Sequence, residues 1–127
     1  MILVDTSVWI RLMRGGLSIK RGDLIGFATC GPVIQEVFAG LRETRQSQTV
    51  RRAFRAMQSL SDPVPVDLFV EASEIFRHGR RKGITIRSSF DCLIAAIAIE
   101  NEVPVWHADR DFDAIGQFTR LRVHRPN

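Results

Sequence analysis

Apolar positions recur along the chain in short bursts whose spacing switches between strand-like and helical. Ile2-Leu3-Val4 is a β-branched run that stops at Asp5 and reads as a buried strand. From Thr6 to Arg14 the apolar residues Val8, Trp9, Leu12 and Met13 fall at helical spacing, and Gly15-Gly16 ends the segment. Asp23 to Gly31 is ambiguous. Pro32 suits the first turn of a helix running to about Arg42, with Val33, Val37, Phe38 and Leu41 inward. The spacing predicts a basic amphipathic helix over Gln46–Leu60, with Val50, Phe54, Met57 and Leu60 on one face. Asp62 to Val66 reads as a turn and a short extended piece, and a further helix runs from Asp67 to near Gly83.

Ile84-Thr85-Ile86 is short and alternating. Ser88 to Asn101 is the strongest helix, with Ser88 placed to cap it and apolar residues nearly all round. A helix like that is covered on several sides. Val103-Pro104-Val105-Trp106 predicts a second core strand, Asp109 to Phe118 a short helix, and Leu121-Arg122-Val123 a last strand. Strands alternating with helices argue for an α/β fold with a mainly parallel sheet. No repeat, linker or low-complexity tract divides the chain, so residues 1–127 are expected to form one domain.

Composition adds bounds. The 127 residues are 45% hydrophobic and 25% charged, which excludes disorder and collagen-like classes. A chain of this size buries roughly two-thirds of its unfolded surface, enough for a core without staples. Eighteen Lys and Arg face fourteen Asp and Glu, a net charge of +4. That balance leans toward a polyanionic partner, although a solvated basic surface explains it as well. Only Lys20 and Lys82 are lysines; the other cations are arginines, whose fork matches phosphate. Cys30 and Cys92 lack metal-type spacing and suit free thiols in a reducing cytosol. The longest apolar run, Cys92 to Ile99, is too short to span a membrane, and Asp5 stands where a secretion signal needs apolar residues. A cytoplasmic protein without a membrane role is expected.

Candidate chemistry lies in the acids. Ligand sites of parallel α/β sheets lie beyond the carboxyl ends of the strands. Asp5 closes the first strand, and Asp109 follows the strand at Val105-Trp106. Asp91 falls in the first turn of the apolar helix, and Glu36 one turn inside the helix that Pro32 begins. If those helix starts face one edge, four acids meet in one cleft, with Asp111 a fifth. Packed carboxylates raise one another's pKa, and a hard divalent cation resolves the conflict. Each acid also has a purely structural interpretation. Asp5 suits an N-cap, Asp91 a capping box with Ser88, Asp109 and Asp111 the start of a short helix, and Glu36 an ordinary surface acid. No Cys-His pair suggests zinc.

Four segments together resemble the PIN-domain nucleases of the VapC toxin type. They are M-I-L-V-D-T-S-V-W at the start, P-V-I-Q-E-V-F-A-G at 32–40, S-S-F-D-C-L-I-A-A-I-A at 88–98 and V-P-V-W-H-A-D-R-D-F-D at 103–113. Asp5, Glu36, Asp91 and Asp109 hold the family's acidic positions, with Asp111 a frequent companion. The stretch from Arg42 to Arg87 carries little of the pattern. The resemblance implies a three-layer α/β/α fold and a Mg²⁺-dependent endoribonuclease, with Mn²⁺ able to substitute, that leaves 5′-phosphate and 3′-hydroxyl ends. It also implies a homodimer restrained by a small antitoxin protein. In that scheme Asp5, Asp91, Asp109 and Asp111 bind metal, and Glu36 orients or deprotonates the attacking water. Ser7 is a candidate for bonding Asp5, a metal-bound water or an RNA phosphate.

Arginines cluster at 42/45, at 51/52/55, at 77/80/81 with Lys82, and at 120/122/125. Arg51 and Arg55 share a helix face and are the first candidates for RNA phosphates. Two other readings stand beside the toxin. One is a housekeeping PIN-type nuclease acting in RNA processing or on DNA. The other is a nucleic-acid-binding module whose acids do not turn over. A haloacid-dehalogenase-type phosphatase is excluded, because Ser7 stands where its second aspartate would be.

Overall fold

The computed structural model describes residues 1–126, leaving aside the side chains of Arg21 and Gln46; Asn127, the last residue of the expected domain, lies outside the described residues. Five short strands form one sheet in the order β3-β2-β1-β4-β5. They are β1 (Ile2–Val4), β2 (Phe27–Thr29), β3 (Gln58–Ser59), β4 (Val105–Trp106) and β5 (Val123–His124). All four pairings are parallel, with Leu3 opposite Ala28 on one side and Val105 on the other. The helices are α1 (Thr6–Met13), α2 (Gly31–Ala39), α3 (Arg45–Ala56), α4 (Val66–Arg81), α5 (Ser89–Glu100) and α6 (Arg110–Gly116). Right-handed crossovers place α1 and α3 on one face of this sheet and α4, α5 and α6 on the other. Packing agrees: Trp9 of α1 stacks on Phe54 of α3, while α5 packs against α4 and α6. The expected α/β/α layering is therefore present.

The chain turns from left to right at β1. From β1 it steps outward to β2 and β3, then returns past β1 to β4 and β5. The carboxyl ends of β1 and β4 thus flank the topological switch point, where parallel sheets leave a crevice for ligands. Helix α2 touches both α1 and α5, so it spans the two layers near that crevice.

Local chemistry explains the boundaries. Helices α1 and α4 end as the glycines predict. Gly15 and Gly83 take φ of +78° and +76°, a region open to glycine at no steric cost. The bonds Gly16 N–H to Arg11 O and Ile84 N–H to Gly79 O then close the last turns at 2.8 Å each. Helix α5 is buried without a break from Asp91 to Ala98, as its all-round apolar sequence requires. Gly79 lets α4 approach its neighbours; a Cβ there would stand 3.0 Å from Ile86 Cδ1 and 3.2 Å from Phe118 Cζ.

Several boundaries differ from the sequence reading. The ambiguous stretch resolves into a 3₁₀ turn (Arg21–Gly26) followed by β2. The helix expected to reach Leu60 stops at Ala56, because Met57 turns extended (ψ 151°) and Gln58–Ser59 joins the sheet as its edge strand. Leu60 N–H then bonds Thr29 O at 2.8 Å. Met57 and Leu60 are buried as the helical spacing suggested, but from extended backbone. The helix begun by Pro32 ends at Ala39 rather than Arg42, and Ile84–Ile86 joins no element.

Candidate active site

Five acids converge on the crevice, each delivered by a different piece of local structure. Asp5 follows β1, and its backbone N–H bonds Trp106 O across to β4. One oxygen, Oδ2, caps α1 by accepting from Ser7 N at 3.0 Å and from Ser7 Oγ at 2.5 Å. The other, Oδ1, is buried without a hydrogen-bond partner. The capping interpretation of Asp5 is thus met by one oxygen, and the other is left unpartnered. Ser7 Oγ also accepts from Ala108 N at 2.9 Å, which ties the ends of β1 and β4 together.

Asp91 sits one turn into α5. The capping box expected with Ser88 does not form: the Ser88 side chain makes no capping bond, and Asp91 Oδ2 is buried with no partner. Its carboxylate instead lies with those of Asp109 and Asp111, one oxygen from each falling within 4.8 Å of the others. Asp109 does cap α6, its Oδ1 accepting from Asp111 N at 3.0 Å. Glu36 comes from α2 and is held by Thr6 Oγ1, which donates to Oε1 at 3.0 Å.

Burial and mutual charge act on these groups together. Burial is the main cause that pushes the Asp91 carboxyl up to about 8, and the charges of Asp5, Asp109, Asp111 and Glu36 add to it. Burial also raises Asp5, opposed by the Ser7 bonds and reinforced by Asp109. Glu36 is raised by burial first and then by Asp5 and Asp109, with the Thr6 bond opposing. A buried unpartnered carboxylate oxygen is costly, so those of Asp5 and Asp91, both within the field of Asp109, would gain from a cation. An all-oxygen set of carboxylates suits a hard ion such as Mg²⁺ or Mn²⁺ and not zinc held by thiolate or imidazole. The residues present fit that group.

These shifts fix a pH response. A carboxyl raised in the folded state binds its proton more tightly there than in the unfolded chain. Its contribution is intact below the unfolded value near 4 and is lost as pH rises through the folded value, about 8 for Asp91. His107 acts oppositely: burial lowers its pKa, so the folded state resists protonation and loses stability as pH falls below the ordinary value of 6.5. With divalent ions chelated, the melting temperature is therefore expected to fall as pH rises from 6.5 to about 8. Differential scanning calorimetry across that range checks this, and a melting temperature that climbs with pH would contradict it.

Three supporting residues carried no signal in the sequence. Thr6 positions Glu36, although it stands next to Asp5. Arg87 reaches Asp109 and Asp111 from the segment before α5. His107 is fully buried; its Nδ1 accepts from Asp109 N at 3.1 Å and its Nε2 lies 3.2 Å from Asp113 Oδ1. It shapes the turn that presents Asp109. Arg51 and Arg55 lie on α3, and among the described residues neither is ion-paired with any of the five acids. Arg51 pairs with Glu43 at 3.2 Å and stands 5.4 Å from the Phe38 ring centre, and Arg55 is exposed. A groove of about 430 Å³ runs from Glu36 past Arg14 and Arg42.

Comparison with known proteins finds similarity along nearly the whole chain. Residues 2–117 match the PIN domain family model. VapC ribonuclease Mb1587 of Mycobacterium bovis and ribonuclease VapC11 of Mycobacterium tuberculosis are each 35% identical to the chain over 131 residues, covering 97% of both partners. DNA-bound VapBC from Salmonella typhimurium shares the fold with a TM-score of 0.76 at 15% identity, covering 98% of each chain. VapBC-5 from Mycobacterium tuberculosis shares it at 0.68 and 24% identity, also over 98% of each.

Proposed function

The chain belongs to the PIN-domain family, and we propose that it is a metal-dependent endoribonuclease, the toxin half of a toxin–antitoxin pair. The observation that carries this is the convergence of Asp5, Glu36, Asp91, Asp109 and Asp111 at the switch point, with Asp5 Oδ1 and Asp91 Oδ2 buried and unpartnered. The relatives named VapC ribonucleases support RNA as substrate, and the VapBC structures support a small antitoxin partner. The housekeeping and non-catalytic alternatives have no comparable support.

Asp91, Asp109 and Asp111 would hold Mg²⁺ or Mn²⁺, with Asp5 completing the set directly or through water. When bound, the ion supplies positive charge beside the phosphodiester and a water acidic enough to attack near neutral pH. Glu36, raised above an ordinary carboxylate and held by Thr6, would orient the attacking water and accept its proton. Ser7 keeps Asp5 in place with its only hydroxyl hydrogen, so its contribution is positioning before any phosphate contact. His107 fixes the turn at Asp109. The products are strands ending in 5′-phosphate and 3′-hydroxyl groups. Cleavage of RNA by the purified chain, lost with a chelator and restored by Mg²⁺, tests the reading. Sequencing of the new 5′ ends identifies the target, and cleavage that persists under chelation would refute the metal site.

RNA phosphates would be held by arginines outside the acid cluster. Arg51 and Arg55 on α3 are one candidate pair, and Arg14 and Arg42 beside the Glu36 groove are another. Removing a contacting pair is expected to weaken binding and to flatten its salt dependence by up to about one unit of slope per lost phosphate. Filter binding against salt for Arg51→Ala/Arg55→Ala and for Arg14→Ala/Arg42→Ala distinguishes them. A pair whose removal leaves the slope unchanged is not on the RNA path.

A homodimer is supported by α4, where Val66, Phe69 and Val70 are half or more exposed. Their side chains cover apolar area that a second copy would remove from water. Light scattering at tens of micromolar is expected to give twice the chain mass, and Val70→Glu to give the monomer. A wild-type monomer at that concentration would refute the dimer. Two free, buried cysteines suit a cytosolic protein; burial lifts the Cys30 thiol to about 12 and the Cys92 thiol to about 11, so both stay unreactive. No described helix is long and apolar enough to cross a membrane.

A further inference from the structure

Arg87 holds the acids that the cation would need. Its backbone N–H donates to Asp111 Oδ2 at 3.1 Å, its Nε to Asp111 Oδ1 at 3.4 Å and its Nη2 to Asp109 Oδ1 at 3.1 Å. Both oxygens of Asp111, a carboxylate only 4% exposed, are therefore committed to one residue. Among the described residues no other Lys or Arg is ion-paired with Asp91, Asp109 or Asp111. The Arg87 side chain itself is 53% exposed and sits at the solvent side of the cluster.

We propose that Arg87 is a two-position residue: it is the counter-ion of the metal-free site, and on metal binding it is released to grip the RNA phosphate at the same site. The inference rests on the metal-nuclease reading above. A divalent ion shared by Asp91, Asp109 and Asp111 takes an oxygen from Asp111, and both are bonded to Arg87. The bond to the backbone N–H is fixed by the chain. The two guanidinium bonds are not, because that group is half in water and on a flexible stem. The ion also cancels the negative charge that holds the guanidinium. A freed Arg87 remains tethered between α4 and α5, at the lip of the cluster. A phosphodiester brought to these carboxylates arrives within its reach, and the planar fork bonds two phosphate oxygens at once. One cation would thus serve both states, pairing Asp109 and Asp111 before metal arrives and adding a phosphate contact afterwards.

The alternative is a brace: Arg87 holds Asp109 and Asp111 in the geometry the metal needs. The two assignments predict opposite signs. If Arg87 competes with metal, Arg87→Ala binds Mn²⁺ more tightly, by about five-fold, the worth of a partly exposed ion pair. If it braces the site, Arg87→Ala binds Mn²⁺ more weakly. Isothermal titration calorimetry with Mn²⁺ on wild type, Arg87→Ala and Arg87→Lys reads the sign. Lysine keeps the charge without the fork and should tighten Mn²⁺ in the same direction, by less; it also serves if the alanine variant fails to fold. With metal chelated, Arg87→Ala should melt below wild type, since the acids lose their partner. At saturating Mn²⁺ it should raise KM for RNA by about ten-fold with kcat changed less, as expected for a lost charge-assisted bond to substrate. Weaker or unchanged Mn²⁺ binding overturns the proposal and leaves the nuclease reading standing, and so does an unchanged KM. A wild-type chain that binds no Mn²⁺ overturns the nuclease reading itself, and this proposal with it.

Discussion

Asp5→Asn is expected to slow RNA cleavage on the order of 10³-fold or more while leaving RNA binding intact or slightly tighter. The fold should survive the change. Asp5 Oδ2 accepts from Ser7 N and Ser7 Oγ, and an asparagine side-chain oxygen caps a helix as well as aspartate does. What changes is the other end of the group. Asp5 Oδ1 is buried, has no partner and feels the charge of Asp109. An amide puts a donor where a cation needs an acceptor and removes one negative charge from its shell. Water activation and charge stabilisation in the transition state are then lost together, which places the loss in the rate rather than in binding. Binding holds because phosphate contacts dominate affinity, and the variant removes a charge that repels RNA. Single-turnover cleavage and filter binding on the same preparation separate the two. Cleavage near the wild-type rate would show that the nuclease site is misplaced and would favour a binding module whose acids do not turn over.

The acids were legible in the sequence because two rules act together. Strand ends in parallel sheets face one edge, and short polar side chains start helices. Asp5 and Asp109 obey both, which is why their capping bonds and their place in the crevice coexist. Asp91 discriminated between the interpretations only in three dimensions. Its spacing from Ser88 is that of a capping box, yet the carboxylate leaves Ser88 for the other acids. Neighbours 18 and 20 residues downstream set that choice, and local pattern does not report them.

Elements were legible in proportion to their length and apolar content. Helix α5 is a long run buried all round, and its bounds fall within a residue of expectation. The strands β2 and β3 have three and two residues, too few for a period to show. In β3 a helical rhythm continued by chance across Met57, so the extended edge was masked by apolar residues at the right intervals. Arg87 was invisible for a related reason. Its partners lie 22 and 24 residues away, in a segment without periodicity, and its chemistry follows from the return crossover that brings α5 beside α6.

Asp91→Asn is expected to raise the stability of the metal-free protein and to abolish most of its response to Mg²⁺. Asp91 is 5% exposed, its Oδ2 lacks a partner, and its carboxyl is pushed up to about 8 by burial and by four neighbouring acids. At pH 8.5 the unfolded chain carries this group ionised at little cost, whereas the folded chain must ionise it among like charges. The difference destabilises the fold above the unfolded value near 4 and grows until pH passes the folded value. Asparagine is nearly isosteric and neutral, and its amide hydrogens face the carboxylates of Asp109 and Asp111 as donors. With metal chelated at pH 8.5 the variant should therefore melt above wild type. For a chain of this size each 1 kcal/mol recovered is worth about 4 °C. At pH 5.5 wild-type Asp91 is already protonated and the advantage should shrink. Addition of Mg²⁺ should raise the wild-type melting temperature through linkage and move the variant little, because the charge that attracted the ion is gone. Calorimetry at the two pH values, with and without Mg²⁺, gives four differences whose signs are all fixed in advance. A variant that melts at or below wild type in chelator at pH 8.5 would mean that Asp91 is not strained by its neighbours. An undiminished Mg²⁺ shift in the variant would mean that the ion binds elsewhere. Stability and catalysis pull in opposite directions at this residue, as they do where a fold keeps buried like charges together for an ion it has yet to bind.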